Sequence, residues 1–126
     1  MKKIALMSIQ PQFVEEIVKG NKRFEYRKAV FKQDVEKVVI YASKPVGKVI
    51  GEFTIKQILE GTPDEVWKET SLESGITESY FHEYFDGKEK AFAIEIDTFT
   101  PYQEGVPLKA FAPHLKAPPQ SYCYLP

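Results

Sequence analysis

The spacing of apolar residues at the start of the chain predicts a strand followed by a helix. Lys3–Ile9 is apolar enough for a buried strand. Pro11 suits the first position of a helix, and an apolar stripe at helical spacing follows it, made of Phe13, Val14, Ile17 and Val18. Gly20 is the residue type that most often ends a helix in a left-handed conformation. The pattern therefore predicts a helix from about Pro11 to Lys19.

The next apolar runs predict a β-hairpin. Lys37–Ser43 is typical of a buried strand, and Val49–Leu59 is typical of a long strand that returns beside it. Lys44–Gly47, between them, carries a proline and a glycine and is predicted to be the turn. Before the hairpin, Arg23–Lys28 alternates between charged and aromatic residues, which indicates a further short strand.

Two short helices and another strand are predicted in the second half of the chain. Thr62 would cap a helix that begins at Pro63, and Glu65 would complete a capping box. Thr77 would cap the next helix, whose inner face would be Tyr80, Phe81, Tyr84 and Phe85. Lys90–Asp97 alternates apolar and polar residues, as strands do.

Together these elements predict one α+β domain over residues 1–126. Its proline-rich tail, residues 100–126, is expected to wrap around the domain in extended form and to end in a short strand near Ser121–Leu125. Strands at irregular spacing, with short helices between them, favour a small, mainly antiparallel β-barrel with flanking helices. The βαβ rhythm of a dinucleotide-binding domain and its glycine-rich phosphate loop are both missing from the sequence.

Composition narrows the class of protein. The 126-residue chain carries a net charge of −1, whereas non-specific binders of duplex nucleic acid are strongly basic. Cys123 is the sole cysteine, which excludes an internal disulfide and a cysteine-based zinc site, and the two histidines, His82 and His114, stand far apart. We therefore expect neither a metal nor a cofactor.

The first residues give no support for export or membrane insertion. Gln10, Pro11 and Gln12 interrupt the short apolar run at the start, and no small-residue cleavage site follows. No stretch approaches the roughly 18 apolar residues needed to span a bilayer. A cytoplasmic location without a membrane partner is expected, and the oligomeric state stays open.

The segment Gly20–Lys28 holds the most informative polar pattern. Alternation places Arg23, Glu25 and Arg27 on one face of the strand. On an exposed edge strand such charges are merely solvated. In a cleft, the same cations would contact phosphates or base edges, and the carboxylate would accept a hydrogen bond from an exocyclic amine.

Other polar and aromatic residues are candidates for the same ligand. Lys22 would enter from the turn before the strand, and Lys22 and Glu25 would keep each other ionised unless the site is dry. Lys28 continues the charged segment, and Ser43 could offer a hydroxyl. Trp67 could be a platform on which a base stacks, although a lone tryptophan is more often packed into a core.

The segment resembles the signature of the ASCH family, named for activating signal cointegrator homology, which reads roughly G-x-K-x-x-E-x-R. Gly20, Lys22, Glu25 and Arg27 match its fixed positions. Further runs resemble the family in the same order: Ile9-x-Pro11, Tyr41-Ala42-Ser43, Ser74-Gly75-Ile76-Thr77, Tyr84-Phe85-x-Gly87 and Pro118-Pro119-Gln120-Ser121-Tyr122. The resemblance spans nearly the whole chain. It implies a small barrel similar to the PUA superfamily of RNA-binding domains, with the signature residues in a cleft between the barrel and the first helix.

The resemblance implies a regulatory protein that binds RNA or a nucleoside in a cleft floored by Gly20–Lys28. Some small ASCH proteins are instead amidohydrolases that deacetylate N4-acetylcytidine with a lysine, a threonine and a glutamate. Lys22 matches the lysine, whereas Glu25 occupies the threonine position, where an ionised carboxylate would repel a developing oxyanion. Glu69 or Glu73 could supply the glutamate.

Two further alternatives stay open. Ribonuclease activity has also been ascribed to the ASCH family, but the sequence reveals no general acid and base for it. The third class of function is a protein-interaction domain with an inert cleft.

Overall fold

Six strands form one mixed sheet, in the order β2-β5-β4-β3-β1-β6. The computed structural model describes residues 2–126. In chain order the strands are β1 (Lys3–Ile9), β2 (Phe24–Arg27), β3 (Val35–Ala42), β4 (Lys48–Gly61), β5 (Ala91–Pro107) and β6 (Tyr122–Leu125). Neighbouring strands are antiparallel except for β1 and β3, which run parallel.

The expectation of a closed barrel is wrong. Strands β2 and β6 stand at opposite ends of the strand order, and no backbone ladder joins them within residues 2–126. Each has four residues and one partner, because β2 pairs with β5 alone and β6 pairs with β1 alone. The α+β class and the short helices are confirmed, and the sheet that they flank is open.

Four short helices complete the fold: α1 (Pro11–Lys19), α2 (Pro63–Thr70), α3 (Glu78–Tyr84) and α4 (Leu108–Phe111). Helix α1 has the predicted bounds and ends at Gly20, whose φ of 84° is left-handed. The capping box between Thr62 and Glu65 is present, and the Thr77 side chain caps α3. The longest helix has nine residues, and no helix among residues 2–126 has the length and hydropathy needed to cross a membrane.

Strand β5 is longer than the alternating pattern predicted. It continues past Asp97 to Pro107 and pairs with β4 along most of its length, with several register shifts. Strand β2 pairs with β5 only from Phe92 to Glu95. The later part of β5 therefore has β4 as its single neighbouring strand. Proline is tolerated where one edge of a strand needs no hydrogen-bond donor, which explains how Pro101 lies inside this strand.

Three groups of buried apolar residues hold the fold together. The interior group joins Val14 and Ile17 of α1 to one face of β1, β3, β4 and β5. The second group lies between β2 and the helices α2 and α3, and it contains Phe81, which is fully buried. The third group packs the opposite face of β1 and β3 against α4 and β6. Helices α1 and α3 also contact each other through Phe13 and Tyr80, whose ring centroids are 5.1 Å apart.

We expect the interior group to dominate stability. Phe53 belongs to this interior group and is 1% exposed. Phe53→Ala should therefore lower the free energy of unfolding by about 3–5 kcal/mol, because apolar burial is lost and a cavity is left. Leu72 is 99% exposed, so Leu72→Ala should change it by less than about 0.5 kcal/mol. Urea unfolding of both variants and the wild type measures the difference. Similar losses in the two variants would contradict this description of the core.

Candidate functional site

A cavity of about 660 Å³ lies where the sheet fails to close. Its walls come from the ends of β1 and β3, the start of α1, strand β2, helix α3, and the segment Pro118–Ser121 just before β6. We call the gap between β2 and the β1–β6 edge the seam, and Pro118–Ser121 the strap. Side chains from distant parts of the sequence meet here because the curved sheet brings its two ends together.

The Arg27 guanidinium crosses the seam. Its Nε and Nη2 atoms lie 3.0 and 2.9 Å from Glu25 Oε2, on the same strand. On the far side, Nη2 donates to the Ser8 carbonyl at 2.8 Å and Nη1 donates to the Ser121 hydroxyl at 3.2 Å. One side chain of β2 therefore contacts both the end of β1 and the strap.

Lys22 lies beneath the cavity and is almost completely enclosed. Its side chain is 2% exposed, and Nζ donates to the Ser74 carbonyl at 3.0 Å. Glu25 Oε1 lies 4.0 Å from Nζ. The aromatic rings of Tyr26 and Phe13 have their centroids 4.7 and 5.5 Å from the same atom, within the range of cation–π attraction. The Lys22–Glu25–Arg27 triad is thus a continuous charged floor.

A glycine lets the chain close over Lys22. Gly75 has a φ of +67°, and a Cβ at this position would collide with the Lys22 side chain. Both the backbone conformation and the close approach therefore require glycine. The same loop supplies the Ser74 carbonyl that accepts from Lys22, which links the Ser74-Gly75 pair to the burial of the lysine.

Burial lowers the pKa of Lys22 from 10.5 to about 8. Loss of solvent is the largest cause; the Glu25 carboxylate opposes it, and the Arg27 guanidinium adds to it. The Lys22 side chain is desolvated, and a pKa of about 8 leaves it mostly protonated at pH 7. Burial also raises the pKa of Tyr26 to about 12, and the Tyr26 hydroxyl forms a hydrogen bond with Thr70 at 2.7 Å.

Four of the residues expected at a ligand line this cavity: Lys22, Glu25, Arg27 and Ser43. The charges of β2 are not solvated, because the Glu25 and Arg27 side chains are only 8% and 12% exposed. The Ser43 hydroxyl lies 3.5 Å from the Ile9 carbonyl, beside the start of α1.

The other predicted residues lie outside the cavity wall. Lys28 is exposed, with Nζ 4.5 Å from the Tyr84 ring centroid at the rim. Trp67 packs on Phe81 in the group beneath α2 and α3, at 4.8 Å between ring centroids. Glu73 and Glu69 are exposed, and Glu73 borders a separate shallow groove on the far side of the Ser74-Gly75 loop.

Sequence reasoning missed most of the aromatic wall. Tyr80, Phe81, Tyr84 and Phe85 were expected to form one buried face, but only the two phenylalanines are buried. Tyr80 and Tyr84, four residues apart on the next face of α3, line the cavity instead. Their hydroxyls were the signal that this face is half-exposed. Tyr41, Lys44 and Ser121 also line the cavity, and Tyr41 and Ser121 lie in runs that resemble the ASCH family.

The cavity concentrates positive charge. Its lining includes three basic side chains, Lys22, Arg27 and Lys44, and one acidic side chain, Glu25. The lining therefore carries two excess positive charges in a chain whose net charge is −1. The sign of this charge attracts anions. Within residues 2–126 no cluster of three metal-ligating side chains occurs.

Comparison with known proteins supports a common fold and family. The chain is 33% identical over 94 residues to an ASCH domain-containing ribonuclease from Zymomonas mobilis; the match covers 74% of this chain and 64% of that protein. A crystal structure of ASCH from Zymomonas mobilis superposes with a TM-score of 0.89 at 30% identity, covering 98% of this chain and 88% of that one. Structures of a tyrosine-to-phenylalanine and a serine-to-alanine mutant from this organism also have TM-scores of 0.89.

More distant matches share part of the sequence or only the fold. A large ribosomal subunit protein uL22 from Ureaplasma parvum is 33% identical over 60 residues, which is 48% of this chain and 19% of that protein. The N-terminal domain of McrB from Staphylothermus marinus has a TM-score of 0.56 at 14% identity, covering 92% of this chain and 82% of that one, and so shares the fold alone.

The family assignment rests on the profile match as well as on these relatives. The ASCH domain profile matches residues 7–100, a range that contains the whole Lys22–Glu25–Arg27 floor. The chain belongs to the ASCH domain family.

Proposed function

We propose that this protein binds single-stranded RNA and takes one nucleotide into the cavity at the seam. The observation that carries the proposal is the combination of excess positive charge with aromatic rings in one partly enclosed cavity. Phosphate is the anionic group of RNA, and the bases supply the flat surfaces that aromatic side chains stack on. Binding without turnover would fit the regulatory role that the family suggests.

The cations favour a nucleotide over an uncharged nucleoside. Lys44 is exposed at the end of β3, where it can reach a phosphate at the mouth of the cavity. Lys22 is buried below and can only meet a group that enters fully. A ligand that fills the cavity would therefore present its phosphate near Lys44 and its base or sugar toward Lys22 and Glu25.

The aromatic wall favours an unpaired base. Phe13 and Tyr80 pack edge to face, with ring centroids 5.1 Å apart, and Tyr84 lies one turn further along α3. A base can enter such a cavity only when it is unstacked from its neighbours, which costs least in a single strand. The Glu25 Oε1 atom, unlike Oε2, is not bonded to Arg27, and it can accept from an amino group of the base.

Cleavage of the bound RNA is a second candidate function. It is supported by the name of the Zymomonas relative, a ribonuclease, and by the solved mutants that alter a tyrosine and a serine. Tyr41 and Ser121, which both carry hydroxyls, line this cavity. The Ser121 oxygen accepts from Arg27, which leaves its own proton for a ligand. In that reaction the 2′-oxygen of RNA would bond to the adjacent phosphorus and the bond from phosphorus to the 5′-oxygen would break, which leaves a 2′,3′-cyclic phosphate. The 2′-hydroxyl proton would pass to water, the departing 5′-oxygen would take a proton from a cavity hydroxyl that water then reprotonates, and Lys22 and Lys44 would stabilise the added negative charge.

Amidohydrolysis of N4-acetylcytidine has less support from the geometry. Of the three residues considered for it, Lys22 and Glu25 face the cavity, but Glu73 does not. Lys22 donates to the Ser74 carbonyl, and a pKa of about 8 leaves only a minor neutral fraction at pH 7 that could act as a nucleophile or a base. The excess positive charge also has no role with a neutral nucleoside.

We expect short single-stranded RNA to bind more tightly than duplex RNA of the same sequence. Lys44→Ala should weaken the binding of different RNA sequences to a similar extent. It should also reduce the slope of the logarithm of the binding constant against the logarithm of the salt concentration by roughly 0.7, which is the contribution of one phosphate contact in a single strand. Lys90→Ala is the matched control, because Lys90 is 62% exposed and pairs with Glu60 outside the cavity. Fluorescence anisotropy at several salt concentrations measures both. Equal effects of the two variants would contradict binding at this cavity.

Binding should also depend on the charge of Lys22. A base or sugar that accepts a hydrogen bond from the Lys22 ammonium, together with the negative phosphate near Lys44, raises the pKa of Lys22 above its free value of about 8. Full affinity is therefore present below pH 8 and is lost as the pH rises toward the pKa of the complex, by at most about tenfold per pH unit. Lys22→Met should bind more weakly at pH 7 and lack this decline. Titrations with oligoadenylate, whose bases do not lose protons in this pH range, test the prediction. If wild type and Lys22→Met show parallel pH profiles of affinity, the charge of Lys22 does not contribute to binding.

Product analysis separates cleavage from deacetylation. If cleavage is the function, wild-type protein should cleave single-stranded RNA, and Tyr41→Phe and Ser121→Ala should slow cleavage by about tenfold or more while retaining binding, since each removes a hydroxyl from a residue that lines the cavity. If binding is the function, the RNA should stay intact. No acetate should be released from N4-acetylcytidine. If the bound RNA is recovered intact, cleavage is excluded and RNA binding is the function that is left. Acetate release that disappears in Lys22→Met would establish the amidohydrolase instead.

A further inference from the structure

We infer that Arg27 is a positioning residue: its guanidinium clamps the two edges of the seam and thereby sets the width of the cavity and the orientation of Glu25. This inference deepens the proposed function and rests on it for the ligand. It assigns Arg27 a different role from Lys22 and Lys44, because Arg27 acts through other groups of the protein and not by direct contact with RNA.

Every nitrogen of the Arg27 guanidinium donates a hydrogen bond within the protein. A guanidinium has five N–H groups in a planar fork. Nε donates to Glu25 Oε2, Nη2 donates to the Ser8 carbonyl, and Nη1 donates to the Ser121 hydroxyl. Nη2 also lies 2.9 Å from Glu25 Oε2, so the charge of the guanidinium is paired as well, and two of its five N–H groups are left for anything else. A residue whose main task was to bind a phosphate would present more of its fork to the cavity.

The far-side partners of Arg27 belong to one bonded unit. The Ser8 amide donates to the Ser121 carbonyl at 3.0 Å, and the Ser8 hydroxyl donates to the Pro119 carbonyl at 2.7 Å. Ser8 therefore fixes the strap to the end of β1. By holding both Ser8 and Ser121, Arg27 fixes this unit relative to β2 in place of the backbone ladder that would close a barrel.

The geometry of the clamp requires arginine. Lysine would keep the positive charge but has one nitrogen, which cannot span Glu25, Ser8 and Ser121 in their present positions. Arg27→Lys therefore separates the two roles. If Arg27 serves mainly as a cation for RNA, lysine should replace it well. If Arg27 is a clamp, lysine should fail although the charge is unchanged.

Hydrogen exchange and RNA binding of Arg27→Lys test the inference. We expect the amides of Ser8 and of β6 to exchange roughly tenfold faster, as expected from losing a charge-assisted hydrogen bond, while the amides between β3 and β4 are unaffected. RNA affinity should fall roughly tenfold with an unchanged salt slope, since no phosphate contact is lost. Arg23→Lys is the matched control, because Arg23 donates to the Ile96 and Asp97 carbonyls and not across the seam.

Two further results keep the test decisive. Ser121→Ala removes the Nη1 contact alone and should accelerate exchange at the same amides to a smaller extent, which distinguishes a local effect from general unfolding. Unchanged exchange in Arg27→Lys, or a lowered salt slope with normal exchange, would overturn the clamp. If wild-type protein binds no RNA, the proposed function fails, and the exchange data alone decide whether Arg27 holds the seam.

Discussion

The bond network of Arg27 is the constraint on which the candidate site depends. Strands β2 and β6 have four residues each, and no backbone ladder joins them within residues 2–126, so the sheet is open where a barrel would close. A side chain bridges the gap instead, from Glu25 on one edge to Ser8 and Ser121 on the other. Because a side chain takes less space along the strand than a continuous ladder, the rest of the seam is free to form a cavity. The open sheet and the cavity are therefore one feature of the fold.

The burial of Lys22 below the seam lowers the stability of the fold. Placing the Lys22 ammonium in a dry environment is unfavourable, and the lowered pKa is the direct sign of that cost. The Ser74 carbonyl, the Glu25 carboxylate and the faces of Tyr26 and Phe13 offset it in part. An apolar side chain would fold here at lower cost. A charge that is retained against its own desolvation, at the base of a cavity, is more readily explained by a ligand than by stability.

Local features of the fold could be predicted from the sequence, whereas features that depend on long-range packing could not. The helix from Pro11 to Lys19 and the capping box at Thr62 are determined by neighbouring residues, and both were found as predicted. The signature of Gly20–Lys28 identified the charged floor because its spacing is local as well. The open seam and the extension of β5 depend on which strands pair across the chain, and periodicity contains no such information. The hydroxyls of Tyr80 and Tyr84 could have separated them from the core residues Phe81 and Phe85, but helical spacing alone groups all four on one face.

The distribution of charge explains why a near-neutral chain can accommodate a polyanion at one place. The cavity lining carries two excess positive charges while the chain as a whole carries −1, so the remaining surface carries three excess negative charges. That surface repels nucleic acid that approaches from other directions and gives no support for tracking along a duplex. Attraction is confined to the seam, where Lys44 meets solvent and Lys22 does not. Under the proposed function, an RNA strand would be drawn in by the nucleotide that can enter, and few of its phosphates would contact the protein. Affinity at such a site must come mainly from the enclosed base and sugar, which makes the shape of the cavity, and hence the clamp that sets it, the source of selectivity.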